Sequence, residues 1–238
     1  MKSKKEILDQ IKGGLIVSCQ ALKNEPLHSS YIMSRMAYAA ALGGAVGIRA
    51  NSTEDIIEIK KVVDLPVIGI IKRDYEDSEI YITPTLECVD ELVKSGAEII
   101  AMDATNRRRP GGVDLKTFFG QVREKYPDQL FMADCSCYED AERAGQLGFD
   151  FAGTTLRGYT QETKGISIPD YNMLEKMCGK LNIPIIAEGG IWYPEQLQKV
   201  MDCGAYAAVI GTAITRPMEI TKHFMVALKE SKCIQTDK

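Results

Sequence analysis

Two ionisable side chains, Lys72 and Glu188, each follow a short apolar segment that has the composition of a buried strand. Lys72 comes directly after residues 67–71, a valine- and isoleucine-rich run, and Glu188 follows residues 185–187. Runs of this kind are typical of strands buried on both faces of a parallel sheet. In parallel α/β folds ligands bind at the carboxyl ends of the strands. Both side chains are therefore candidates for chemistry, although a lone lysine after a strand can also be a solvated loop residue.

The chemistry open to Lys72 is of two kinds. As a base it must lose its proton near neutral pH, so its pKa has to fall from about 10.4 to roughly 7–8. Burial would lower the pKa, and nearby cations such as Arg49 or Arg73 would lower it further. As a nucleophile, the same amine could form a Schiff base with a carbonyl substrate, as in a sugar-phosphate aldolase.

The elements that would carry these residues alternate regularly along the chain. Apolar runs predict eight strands, at residues 15–19, 45–48, 67–71, 99–102, 130–133, 151–153, 185–187 and 207–210. Helical patterns lie between and after them, at residues 31–41, 53–63, 86–94, 115–125, 138–147, 171–180, 194–202 and 218–229. Such alternation indicates parallel βα units. An additional N-terminal helix is predicted over residues 3–11, where Ser3 and Glu6 form a capping-box pattern.

A regular pattern of breaker residues supports a closed barrel. Glycines precede the even-numbered strands and prolines precede strands three, five and seven: Gly44, Gly96, Gly148 and Gly204, and Pro66, Pro127 and Pro184. Glycine suits a left-handed helix C-cap, and proline stops a helix just beyond its end. Eight evenly spaced strands favour a (β/α)8 TIM barrel, with residues 1–238 as a single domain. Strands three and seven of such a barrel lie opposite each other, so Lys72 and Glu188 are expected to face two sides of one substrate.

Other polar residues follow the predicted strands and would share this rim. Those predicted to bind substrate are Gln20, Arg49, Asp134, Arg157 and Arg216. Asp134 on its own could equally cap the next helix. Gly189, Gly190, Gly211 and Thr212 follow strands seven and eight. Their backbone N–H groups predict a phosphate site, the alternative being two tight turns that need positive φ.

Composition excludes several classes of protein. The chain of 238 residues carries a net charge of −4, which argues against nucleic-acid and anionic-membrane partners. It has neither a signal-peptide apolar region nor a run long enough for a membrane span. Seven scattered cysteines without a CxxC pair indicate reduced thiols in a cytoplasmic protein. Two histidines, neither directly after a strand, favour no metal, although carboxylates alone could still hold magnesium. No Rossmann fingerprint follows the first strand, so no cofactor is predicted.

One basic segment allows two interpretations. Residues 106–112 read NRRRPGG, which is either a solvated turn or a lid that helps to hold a phosphorylated substrate. A homodimer is also expected, because closed two-fold pairs are the commonest assemblies.

The sequence resembles the N-acetylmannosamine-6-phosphate 2-epimerase family. The matching stretches are GGLIVSCQA (13–21), GIRA (47–50), PVIGIIKRDY (66–75), ITPT (82–85), MDATNRRRP (102–110), ADCS (133–136), GTTLRGYT (153–160), AEGGI (187–191) and VIGTAITRP (209–217). The resemblance implies a cofactor-independent TIM barrel that interconverts N-acetylmannosamine 6-phosphate and N-acetylglucosamine 6-phosphate in sialic acid and amino-sugar catabolism. It implies catalytic roles for Lys72 and Glu188. It places Gln20, Arg49, Asp134 and Arg216 in the polar network around the sugar.

Two rival functions stay open on the residues alone. One is a Schiff-base aldolase that uses Lys72, and the other is a non-catalytic phosphosugar sensor, because a fold by itself does not establish activity.

Overall fold

The computed structural model describes residues 2–230 as a closed barrel of eight parallel strands that pair in chain order, with β8 returning to β1. The strands are β1 (Leu15–Cys19), β2 (Gly47–Asn51), β3 (Val67–Ile70), β4 (Ile99–Asp103), β5 (Leu130–Asp134), β6 (Phe151–Gly153), β7 (Ile185–Glu188) and β8 (Ala207–Ile210). The predicted (β/α)8 barrel is thereby confirmed.

Helices surround the barrel and connect successive strands. They are α1 (Lys4–Ile11), α2 (Ser30–Leu42), α3 (Thr53–Lys60), α4 (Leu86–Ser95), α5 (Leu115–Lys125), α6 (Tyr138–Leu147), α7 (Tyr171–Lys180), α8 (Pro194–Asp202), α9 (Thr212–Thr215) and α10 (Pro217–Glu230). The Ser3–Glu6 capping box at the start of α1 is confirmed, and Gly96 and Gly148 are left-handed caps after α4 and α6. Within residues 2–230, no helix is long and apolar enough to cross a bilayer.

Three elements differ from the sequence-based prediction. The second strand was expected at residues 45–48 but lies at Gly47–Asn51, and the short helix α9 and a 3-10 turn at Pro110–Gly112 were not predicted. The strand was misplaced because Arg49 interrupts the apolar run. In the barrel Arg49 is nevertheless a strand residue, in register with Ser18 of β1 and Ile68 of β3.

The interior of the barrel is filled by every second residue of the strands, as the period-two geometry of a strand requires. The interior cluster contains Ile16, Ile68, Ile70, Ile99, Ala101, Leu130, Met132, Phe151, Ile186, Ala207 and Val209. Helix α1 closes the N-terminal end of this core. Its Ile7 and Ile11 are almost fully buried in the same cluster, and the Tyr206 hydroxyl donates to the carbonyl of Leu8 at 3.0 Å.

The same alternation turns polar at the C-terminal end of the barrel. On three strands, an ionisable residue follows the last apolar interior residue by two positions. These residues are Lys72 after Ile70, Asp134 after Met132 and Glu188 after Ile186. Because side chains at positions i and i+2 of a strand share a face, these polar groups continue the interior column upward. The barrel therefore has an apolar floor beneath a layer of ionisable groups.

Candidate active site

A cavity of about 690 Å³ occupies the C-terminal mouth of the barrel. Its floor is apolar and includes Ile70 and Val209, whereas its walls carry charged and polar side chains. The predicted site residues that line it are Gln20, Arg49, Lys72, Glu188, Gly189, Gly190, Gly211, Thr212 and Arg216. A pocket that combines an apolar base with convergent polar groups is the expected form of a small-molecule site.

The centre of the site is a buried ion-pair network. Arg49 donates two hydrogen bonds to Asp134, from Nη1 to Oδ1 at 3.1 Å and from Nη2 to Oδ2 at 2.7 Å. The two side chains are 1% and 0% exposed. The same guanidinium lies 3.3 Å from Oε2 of Glu188, a longer contact. The Arg49 guanidinium is thus shared, unequally, between two carboxylates, one at the end of β5 and the other at the end of β7.

Lys72 is the second residue after β3, and its side chain lines the cavity. Its backbone N–H donates to the side-chain oxygen of Asn51 at 2.8 Å, which ties this point of the chain to the end of β2. Burial lowers the pKa of the Lys72 ammonium, and the positive charges of Arg49 and Arg216 lower it further, while Glu188 and Glu25 oppose the shift. Lys72 therefore has the environment that a lysine base requires.

Glu188 is the last residue of β7 and has the opposite perturbation. Burial raises the pKa of its carboxyl, Arg49 opposes this, and the neighbouring Asp134 raises it further. Its backbone is held by the Thr154 hydroxyl, which accepts from the Glu188 N–H at 2.9 Å and donates to the Glu188 carbonyl at 2.8 Å. A carboxyl in this setting can hold a proton at higher pH than a solvated one.

The glycine turns after β7 and β8 border the cavity, as predicted. Gly189 and Gly190 have φ angles of 104° and 73°. A Cβ on Gly190 would lie 2.5 Å from the backbone of Ile168, so only glycine fits there. Gly211 precedes α9 and packs on Ser18. The phosphate role of these residues stays a prediction, since the tight-turn explanation applies to the pair after β7 as well.

Arg216 lines the cavity with its guanidinium already engaged. Its Nε donates to Oε1 of Glu25 at 2.9 Å, and a second, shorter bond runs from its Nη2 to the same oxygen. Burial alone would raise the pKa of Glu25, but the hydrogen bond from the Leu22 N–H and the pairing with Arg216 outweigh it and lower the pKa. An anionic substrate group that binds Arg216 would have to share it with Glu25 or displace it.

Several residues of the cavity were not singled out from the sequence. They are Ser18, Glu25, Tyr81 and Trp192. Thr155, four residues after the interior Phe151 of β6, lies on the same face of the strand and also lines the cavity. Glu25 and Tyr81 lie in loops, where neither strand periodicity nor a motif marked them.

Arg157 lies away from the large cavity. It pairs with Asp170, at 3.1 Å from Nε and 2.6 Å from Nη2 to Oδ2, and its Nη1 donates to the Ser136 carbonyl at 3.2 Å. These contacts border a small adjoining pocket. Arg157 thus anchors the loop between β6 and α7, and its contact with substrate stays a prediction.

The three arginines of the basic segment 106–112 all contact other groups of the protein, although Arg108 stays exposed. Arg107 pairs with Asp103 at 2.6 Å and Arg108 with Asp114 at 3.3 Å. Arg109 is buried, donates to the carbonyls of Thr83 and Pro84, and stacks 3.8 Å from the Phe118 ring centre. None of these arginines lines the large cavity. The geometry favours a braced turn over a substrate lid.

The thiols and other possible metal ligands are dispersed. Cys19, Cys88, Cys135, Cys137, Cys178 and Cys203 are free, whereas Cys233 lies outside the described residues. Among the residues that the structure describes, no group of three or more His, Cys, Asp or Glu side chains could hold a metal ion.

A closed (β/α)8 barrel whose C-terminal mouth holds a partly buried lysine with a lowered pKa and a carboxyl with a raised pKa defines an enzyme scaffold suited to proton transfer on a small substrate. Residues 33–230 match the family model NanE, described as “Putative N-acetylmannosamine-6-phosphate epimerase”. The chain belongs to this family.

Individual relatives agree with the family match over nearly the whole chain. Proteins of Caldanaerobacter subterraneus subsp. tengcongensis and Clostridioides difficile, each named “Putative N-acetylmannosamine-6-phosphate 2-epimerase”, are 53% and 56% identical to it. They cover 95% and 94% of this chain, which matches 96% and 99% of theirs. A solved structure of the N-acetylmannosamine-6-phosphate 2-epimerase from Clostridium perfringens superposes with a TM-score of 0.90 at 52% identity, covering 95% of this chain and 98% of that one.

Proposed function

We propose that this protein interconverts N-acetylmannosamine 6-phosphate and N-acetylglucosamine 6-phosphate, in amino-sugar and sialic acid catabolism. The observation that carries the proposal is the position of Lys72 and Glu188. They reach one cavity from β3 and β7, strands that are separated by three others on either side of the barrel. Epimerisation, the activity named for the family, removes a proton from one face of a carbon and returns a proton to the other face.

The chemistry follows from the acidity of the substrate. The hydrogen at C2 of an N-acetylhexosamine becomes acidic only when C1 is an aldehyde, so the sugar ring must open first. Lys72, with its lowered pKa, removes that proton from one face. The electron pair then forms a C1–C2 enolate, and a proton returned to the other face of C2 gives the epimer. Glu188 is the opposed acid and base in this proposal.

The developing negative charge needs a fixed cation. Arg49 is held rigidly by two hydrogen bonds to Asp134, so it costs no reorganisation during the reaction. Asp134 thereby orients Arg49, and both groups are supported as parts of the site by their burial beside Glu188. Stabilisation of this preorganised kind is usually a large contribution to catalysis.

The phosphate end of the substrate would be held by the part of the cavity that lies around the turns after β7 and β8. The turns at Gly189–Gly190 and Gly211–Thr212 border it, as do Arg216 and Gln20, whose amide donates to Ser18 at 2.9 Å. Exposed backbone N–H groups and an arginine suit a phosphate. Their proposed role is binding, with the proton chemistry left to Lys72 and Glu188.

Proton NMR in D₂O with N-acetylmannosamine 6-phosphate tests the activity. We expect growth of the gluco epimer with deuterium at C2, because the proton delivered to C2 comes from a Glu188 carboxyl that has exchanged with the solvent. Epimer formation with full retention of hydrogen would contradict solvent-exchanged deprotonation at C2. Absence of both exchange and epimer would contradict the proposal altogether.

Borohydride trapping separates the epimerase from the aldolase. A Schiff base on Lys72 would be reduced to a stable adduct in the presence of substrate, whereas the epimerase forms no imine with the enzyme. A phosphosugar sensor would bind substrate without either adduct or exchange. The matched family and the two opposed acid–base residues favour the epimerase over both alternatives.

We further propose that the protein acts as a cytoplasmic homodimer. Helix α10 exposes several large apolar side chains, among them Phe224 at 67% and Val226 at 53%. Exposed apolar surface of this kind commonly marks a protein contact. Sedimentation equilibrium is expected to give the mass of two chains, and the mass of one chain at micromolar concentration would contradict it.

A further inference from the structure

We infer that the Thr155 hydroxyl is a positioning group that hydrogen-bonds Glu188 in both of its protonation states, and so serves both directions of the reaction. The inference rests on the proposed epimerisation and extends it. Thr155 lies two residues after β6 and borders the cavity between Asp134 and Glu188.

The geometry places one hydroxyl between two carboxylates. The Thr155 Oγ1 atom is 2.7 Å from Oδ1 of Asp134 and 3.1 Å from Oε2 of Glu188. A hydroxyl has a single proton to donate and two lone pairs to accept with. It can therefore satisfy both neighbours in full only if one of them donates a proton to it.

Asp134 is the carboxylate with the stronger cationic partner. It accepts both hydrogen bonds of the Arg49 fork, whereas Glu188 has only the 3.3 Å contact with that guanidinium. When Thr155 donates to Asp134, its lone pairs face Glu188, which can then donate from a protonated Oε2. When Thr155 turns its proton to Glu188, an ionised Glu188 is stabilised and Asp134 keeps its two bonds from Arg49.

The charge balance of the site supports these two states. The charged groups that face Glu188 are Arg49 from β2, Asp134 from β5 and Lys72 after β3. The charges of Arg49 and Asp134 cancel each other. Lys72 and Glu188 therefore share a single ionisable proton when the site as a whole is neutral. That proton is on Glu188 while Lys72 is the base, or on Lys72 while Glu188 is the base.

Each state begins one direction of the reaction. With Lys72 neutral and Glu188 protonated, Lys72 takes the C2 proton and Glu188 delivers its own to the opposite face of the enolate. The products of that step are a protonated Lys72 and an ionised Glu188, which are the reactants of the reverse direction. The Thr155 hydroxyl adapts to the change in protonation of Glu188 by rotating its proton, so that no heavy atom has to move.

Substitution of Thr155 by valine is the test, because valine keeps the shape and removes the hydroxyl. An ionised Glu188 loses a charge-assisted donor, which is a stronger bond than the one lost by the protonated form. The pKa of Glu188 is thus expected to rise, and the acid-side limb of the kcat/KM profile to move to higher pH. We expect kcat to fall about 10- to 100-fold with KM changed less than about threefold, within the range of general acid–base effects.

Thr155→Ser is the matched variant, since it restores the hydroxyl in a smaller side chain. It is expected to recover most of the activity and the original acid limb. Thr155→Ala provides a second hydroxyl deletion if the valine variant does not fold. In every variant kcat/KM must change by the same factor in both directions, because their ratio is the equilibrium constant, so that equality checks the assays.

Three results would overturn the inference, and the first can be told apart from the other two because it removes the proposed function as well. If the wild-type protein shows neither C2 exchange nor epimerisation, the proposed function and this inference fall together. If the wild-type protein is active but Thr155→Val keeps its kcat and acid limb, or Thr155→Ser is as impaired as Thr155→Val, the inference alone is wrong. A loss of thermal stability shared by all three variants, without a shifted limb, would likewise reduce Thr155 to a structural tie.

Discussion

Replacing Lys72 with alanine is expected to lower kcat by about 1,000-fold or more, in line with removal of a principal acid–base group. The substitution removes the amine that takes the C2 proton in one direction and delivers a proton in the other, whereas the groups proposed to bind phosphate stay in place. Both epimer formation and deuterium exchange at C2 should disappear in D₂O. Calorimetric titration should show substrate affinity within a fewfold of the wild-type value.

Lys72→Arg separates proton transfer from simple positive charge. Arginine keeps the charge but cannot deprotonate near neutral pH, so this variant should be about as inactive as the alanine one. Lys116→Ala, an exposed residue on α5, is the matched control and should leave turnover unchanged. Near-normal turnover of Lys72→Ala would remove Lys72 from the mechanism.

Replacing Arg49 with methionine is expected to destabilise the fold by about 3–5 kcal/mol near pH 7.5, the typical cost of breaking a buried ion pair. Asp134 would keep a fully buried carboxylate without its bidentate partner, beside Glu188. Urea denaturation gives this free energy of unfolding. Activity should also be lost, since the site would contain two carboxylates and no guanidinium between them.

The destabilisation caused by Arg49→Met should depend on pH in a defined direction. The pKa of Glu188 is already raised by burial, and Arg49 opposes that rise, so the variant raises it further. A carboxyl whose pKa is higher in the folded than in the unfolded protein stabilises the fold at low pH. That stabilisation is lost as the pH rises from the unfolded value of about 4.3 through the folded pKa.

The free-energy deficit of Arg49→Met is therefore expected to be smaller at pH 5.5 than at pH 8. Arg35→Met, an exposed arginine that stacks on Tyr38, is the matched control and should cost less than about 1 kcal/mol at both pH values. An equal deficit for Arg49→Met at both pH values would contradict the account of the site as a charge-compensated network.

Most of the barrel was predictable because its signals are local. Apolar runs bounded by glycine or proline marked seven of the eight strands to within one residue, and β1, β6 and β8 agree at both ends. The exception, β2, shows the limit of that signal. Arg49 in the middle of a strand is allowed only because Asp134, on the far side of the barrel, neutralises it.

The candidate site was predictable in part for the same reason. Lys72 and Glu188 stand at strand ends, where polar residues after apolar runs are conspicuous. Arg157 was grouped with them by the same rule, but it pairs with Asp170 in the following loop and does not line the large cavity. A strand-end rule cannot foresee such a partner, because the path of a loop depends on what it packs against.

The sequence by itself determined the alternation of strands and helices, the number of strands and the two residues at the ends of β3 and β7, since each depends on neighbours within a few positions. Only the tertiary structure decided which charges meet. The Arg49–Asp134 pair spans 85 residues and Thr155 bridges to Glu188 over 33. These contacts arise when the sheet closes into a barrel, and its curvature and stagger bring interior columns of distant strands together. Closure therefore turned separate strand ends into one charge-balanced site.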